Sequence, residues 1–82
     1  YISAVDRSLA VYPNPTSGVI YIEFSQTIEG SITVLDAVGR VLNSEKITNK
    51  KQPITLAKNE KGIYLLHVSH GESITIVKVV LQ

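Results

Sequence analysis

The sequence predicts an all-β domain, a seven-stranded antiparallel sandwich of two sheets, on three observations. Apolar residues recur at every second position in short runs, the spacing that sends alternate side chains to opposite faces of a strand. Seven such runs follow one another about 8 to 12 residues apart, separated by clusters of Gly, Pro, Asn, Asp, Ser and Lys that read as turns. No stretch keeps a rhythm of about 3.6 residues for three turns, so no helix is expected to carry a parallel crossover.

Taken in order, residues 1–8 lack alternation and read as the end of a linker, and Leu9–Tyr12 is the first short run. Pro13-Asn14-Pro15-Thr16-Ser17-Gly18 closes it with turn formers. Val19–Phe24 alternates cleanly, with Ile20, Ile22 and Phe24 facing a core and Glu23 facing water. Ser31–Asp36 repeats the pattern with Ile32 and Val34 inward. Asp36-Ala37-Val38-Gly39-Arg40 reads as a hairpin loop whose Gly39 supplies a positive φ, and Val41–Ile47 returns as the partner strand. Thr48–Gln52 is polar and is expected to be a connecting loop before a brief strand at Ile54–Leu56. Ala57–Lys61 is a second charged turn. Gly62 opens Ile63–Ser69, with Tyr64, Leu66 and Val68 on one face, and His70-Gly71-Glu72 turns into Ser73–Leu81. This last run is apolar on both faces except at Lys78, whose ammonium must reach water, which puts Val77 and Val79 inward.

At 82 residues the chain is one small domain, and with Tyr1 first and no Met it reads as a piece of something longer. Hydrophobic residues make up 44% and charged residues 18%, enough to bury a core and far from the composition of a disordered chain. The absence of Cys removes thiol catalysis, thiolate metal sites and disulfide support. A formal net charge of +1 gives no field that would gather nucleic acid. Five lysines against two glutamates between Asn43 and Lys61 read as solvated loop charge, because no aromatic rings interleave for base stacking. No apolar run reaches the length of about 18 residues that a membrane helix needs.

The sequence offers no catalytic constellation and no cofactor site. His67 and His70, three apart on a strand, point to opposite faces and are expected at the solvent or the rim rather than as a metal pair. Asp6, Glu23, Glu29, Asp36, Glu45, Glu60 and Glu72 are scattered one per turn or outer face, where ordinary pKa values are expected. There is no Gly-x-Ser-x-Gly elbow, phosphate-cradling loop or calcium-loop spacing of acids. The most constrained feature is Pro13-Asn14-Pro15, in which both prolines fix φ and donate no hydrogen bond. On physics alone it is a corner at the start of a sheet, with prolines blunting an edge strand.

The order of these features is informative. Tyr12-Pro13-Asn14-Pro15 with Gly18, then Asp36-x-x-Gly39-Arg40, then Gly62-Ile63-Tyr64-Leu65-Leu66, then a lysine-bearing final strand resembles the type A C-terminal sorting domain of the type IX (Por) secretion system of Gram-negative bacteria. The resemblance spans about Leu9 to Gln82 and implies an immunoglobulin-like sandwich, residues 9–82, that is a folded export signal and not an enzyme. It implies as partners an outer-membrane translocon, a sortase-type cysteine peptidase and an N-terminal cargo domain, with a cut upstream of Leu9 and a fate in the medium or on the cell surface. The signature positions it carries over are Pro13, Asn14, Pro15, Gly39, Gly62, Tyr64 and Lys78.

The alternative from another class is an accessory module for carbohydrate binding or adhesion. Such modules present exposed rings for stacking on sugars. Only 6% of this chain is aromatic and it has no Trp, leaving Tyr21 as the best exposed candidate.

Overall fold

A computed structural model describes residues 9–26, 29–57 and 59–82. The linker expected over residues 1–8 lies outside the described residues, as does Lys58 of the basic loop. Seven strands form and there is no helix among the described residues: β1 (Leu9–Tyr12), β2 (Val19–Phe24), β3 (Gly30–Asp36), β4 (Val41–Lys46), β5 (Lys51–Thr55), β6 (Gly62–His70) and β7 (Ser73–Leu81). They make two antiparallel sheets, one in the order β1-β2-β5 and the other in the order β4-β3-β6-β7, consistent with an immunoglobulin-like sandwich.

The alternation read from the sequence sets which faces meet. Ile20, Ile22, Phe24, Ile54 and Leu56 project from the smaller sheet, and Ile32, Val34, Tyr64, Leu66, Val68, Val77, Val79 and Leu81 from the larger one, into one contiguous buried core. The last strand settles as the lysine demands: Val77 and Val79 are buried, Lys78 is exposed, and Ile74 and Ile76 face outward. Burial of an aliphatic side chain of this size contributes about 1.5–3 kcal/mol relative to exposure, so these residues supply most of the drive to fold.

Three local expectations need correction. Thr48–Gln52 is not all loop, because β5 begins at Lys51 and Gln52 is buried. Its carboxamide oxygen accepts from the Thr48 and Asn49 amides at 2.8 and 3.2 Å, and its nitrogen donates to the Glu45 carboxylate at 2.7 Å and the Lys46 carbonyl at 3.0 Å. Gln52 therefore ties the smaller sheet to the edge of the larger one, and full use of its polar atoms makes its burial tolerable. His70 is not at the solvent or the rim. β6 runs one residue further than expected, so the inward face Tyr64, Leu66, Val68 continues to His70, which bonds to Thr75 Oγ1 at 3.0 Å and stands against Phe24 with ring centroids 6.1 Å apart. The third correction is the carboxylate of Asp36, described with the site below.

At Gly30 a side chain has no room. Its backbone pairs with His70 so closely that a Cβ would lie 1.8 Å from the Ser69 carbonyl oxygen.

Candidate functional site

The segment after β1 does more than turn a corner. β1 and β2 are neighbours in the smaller sheet, yet the chain between them lies along the free edge of β7 in the larger one. The Asn14 carboxamide donates to the Lys78 carbonyl at 2.7 Å and accepts from the Val80 amide at 3.0 Å, so one side chain substitutes for a neighbouring strand. Thr16 continues the pairing as a parallel bridge to Leu81: its amide donates to the Val80 carbonyl at 2.9 Å and its carbonyl accepts from the Gln82 amide at 2.8 Å. The Thr16 hydroxyl is buried, donating to the Val19 carbonyl at 2.8 Å and accepting from the Gly18 amide at 3.1 Å. The peptide bonds before Pro13 and Pro15 are both cis. Prolines suit this corner because the groups that bond to β7 belong to Asn14 and Thr16, and neither proline nitrogen has a hydrogen to leave unsatisfied.

The second part of the site is the β3–β4 hairpin. Gly39 takes φ +88°, the left-handed region that residues with a Cβ avoid. The Asp36 carboxylate holds the loop from inside. Oδ1 accepts from the Val38 and Arg40 amides at 3.0 and 2.9 Å, while Oδ2 accepts from the Arg40 guanidinium at 2.9 Å. Contrary to the ordinary value expected from sequence, its pKa is lowered. The Arg40 amide is the largest cause, partial shielding from water works against it, and the Arg40 side chain and Val38 amide add to the lowering.

Beside the hairpin, Gly62 opens β6 at φ +148°, and Tyr64 passes into the core with its hydroxyl donating to the Glu60 carbonyl. An open groove of about 330 Å³ runs between the two loops, lined by Asp36, Val38, Arg40, Glu60, Lys61 and Tyr64 among others.

These parts meet at one end of the sandwich. Asp36 pairs with Tyr64, Tyr64 with Val79 and Gly62 with Leu81, while Thr16 bridges to Leu81 on the other side of β7. Pro13, Asn14, Pro15 and Lys78 thus form one patch, Gly39, Gly62 and Tyr64 a second, and the last residues of β7 join them. It is the backbone carbonyl of Lys78 that Asn14 engages, and the exposed side chain stands on the outer face of the sheet. Thr16 and the Asp36 carboxylate are structural members of the site that the sequence reading did not single out. The only hint of the Asp36 role was its spacing to Gly39 and Arg40 in the hairpin motif.

On the outer face of the smaller sheet, Tyr12 and Tyr21 lie 6.2 Å apart, and the Lys51 ammonium stands over both rings at 5.7 and 5.2 Å from their centroids. The Tyr12 hydroxyl is bonded to Glu23 at 2.7 Å. Among the described residues no group of three or more His, Asp or Glu side chains converges as metal ligands would.

No curated protein and no solved structure matches the chain. A family model does: the secretion-system C-terminal sorting domain of type IX secretion matches residues 10–82, nearly the whole length, and that family is one of sorting signals rather than enzymes. With its motifs gathered at one end of a seven-stranded sandwich, the chain belongs to the secretion-system C-terminal sorting domain family.

Proposed function

We propose that residues 9–82 are a folded export signal and that the end of the sandwich carrying Pro13–Pro15, Gly39, Gly62, Tyr64 and Lys78 is the surface read by the outer-membrane translocon. The cargo precedes the domain, and a sortase-type cysteine peptidase cuts upstream of Leu9 as the cargo reaches the surface or the medium. One observation carries this reading: Asn14 and Lys78, 64 positions apart, are joined by a hydrogen bond, so the motif surface exists only in the folded chain. Family membership supports the coarser part, a type IX sorting role with a cargo and a secretion machine as partners. Among the described residues the carbohydrate-binding alternative rests on Tyr12 and Tyr21 alone, a small aromatic surface shared with the Lys51 ammonium.

The test is export of a reporter fused ahead of the domain. Deleting Lys78–Gln82 removes Val79 and Leu81 from the core together with every partner of Asn14 and Thr16 on β7. At about 1.5–3 kcal/mol for each buried side chain, that loss is comparable to the total stability of a chain this short. The reporter should stay inside the envelope. Lys78→Ala, which leaves the aliphatic residues in place, separates recognition from folding. Surface delivery of the truncated fusion at normal yield would overturn the proposal.

A further inference from the structure

A sheet edge presents unpaired amides and carbonyls, and proteins guard such edges with prolines, charges, bulges or short strands. Among the described residues the two sheets present four edges, of which three are guarded. β1 is four residues long and runs into Pro13, β5 carries Lys51 and Pro53, and β4 carries Glu45 and Lys46 beside a register shift against β3. Among the described residues, the fourth edge, β7, is guarded only over its second half. Backbone groups of Lys78, Val80 and Gln82 face the clasp made by Asn14 and Thr16. Because backbone direction alternates along a strand and β7 pairs with β6 without a bulge, the amides and carbonyls of Ile74 and Ile76 face the same free edge. No proline or charge interrupts Ser73–Val77, and Ile74 and Ile76 are 62% and 43% exposed.

We propose that two copies of the chain pair edge to edge through this open half of β7, antiparallel, with Ile74 opposite the partner's Ile76. This register is chosen by three features. Each Ile74–Ile76 pair exchanges both of its hydrogen bonds, and the isoleucine side chains of both copies lie together on one face. Glu72 falls opposite the partner's Lys78; both residues are exposed, and neither is in an ion pair among the described residues. The partner strand ends at its turn, Gly71–Glu72, where the Asn14 clasp begins, so the clasp sets the length of the pairing instead of obstructing it. The result is a two-fold dimer with one continuous sheet across both copies. So short a strand addition buries less than a standard interface, and the dimer is weak and reversible.

The experiment is sedimentation equilibrium of the 82-residue chain with amide-resolved NMR, from about 10 μM to about 1 mM, the range in which a small interface populates. Dimer should form, with shift changes and slowed exchange confined to Ser73–Lys78. Glu72→Lys and Lys78→Glu should each weaken association by about three- to tenfold, and the two together should restore it, the pattern of an exposed ion pair formed twice by symmetry. Ile76→Lys should abolish association while leaving the circular dichroism spectrum unchanged. A monomer throughout the range overturns the proposal, and so does a dimer whose perturbed amides lie elsewhere, for example at Val41 and Ile63, or one in which the double charge exchange fails to restore binding.

Discussion

Replacing Asn14 by Ala removes both hydrogen bonds that fasten the β1–β2 connection to β7 and leaves the prolines in place. Each bond contributes about 0.5–1.5 kcal/mol net, and because the freed Lys78 carbonyl and Val80 amide are near solvent, the low end applies. The expected cost is about 1–2 kcal/mol. For a domain of this length that corresponds to a fall in melting temperature of roughly 5–15 °C. Local readout is sharper than the global one: the Val80 amide, bonded to the Asn14 carboxamide oxygen, should exchange much faster in the variant, while the core amides of β6 change only as far as global stability falls. Asn14→Asp sharpens the test, since the carboxylate can still accept from Val80 but can only repel the Lys78 carbonyl. That variant should lose stability at neutral pH and recover part of it in acid, where the protonated carboxyl donates again. If Asn14→Ala melts with the wild type and the Val80 amide keeps its protection, Asn14 does not fasten β7 and the argument for a fold-dependent motif surface fails.

The remaining predictions concern the second half of the site. Tyr64→Ala should cost about 3–5 kcal/mol, as for removal of a large ring from a core, since Tyr64 is only 7% exposed. Tyr21→Ala, at 37% exposure, should cost under about 1.5 kcal/mol, mostly its contact with Lys51; equal shifts of the urea midpoint for the two variants would mean that the faces of β2 or β6 are misassigned. Because the folded Asp36 pKa is lowered, the stability it contributes is full above the ordinary carboxylate value of about 3.9 and is lost as pH falls through the depressed value. Carboxyl chemical shifts should show Asp36 titrating below the ordinary carboxylate value, and Asp36→Asn should remove that part of the acid response; a midpoint at or above the ordinary value would contradict the hydrogen-bonded hairpin.

What could be read before folding was whatever depends on near neighbours. Alternation assigned the inward faces of β2, β3, β6 and β7, and Lys78 chose between the two faces of β7, because a charged side chain must reach water wherever the strand lies. Gly39 and its hairpin were legible for the same reason, since the conformation of a short turn is set by its own residues. Gln52 marks the boundary: it continues the inward alternation of Ile54 and Leu56, but as a polar residue in a lysine-rich stretch it read as loop, and only its partners on β4 and the β4–β5 connection make its burial tolerable. His70 was misread because one added strand residue turns a rim position into a core position. The strand order, the clasp of Asn14 and Thr16 on β7 and the gathering of the motifs at one end were decided by tertiary structure alone. The bonds of the clasp join residues 64 to 66 positions apart, and which distant backbone groups become neighbours depends on how the two sheets pack, a property that no local stretch of the chain contains.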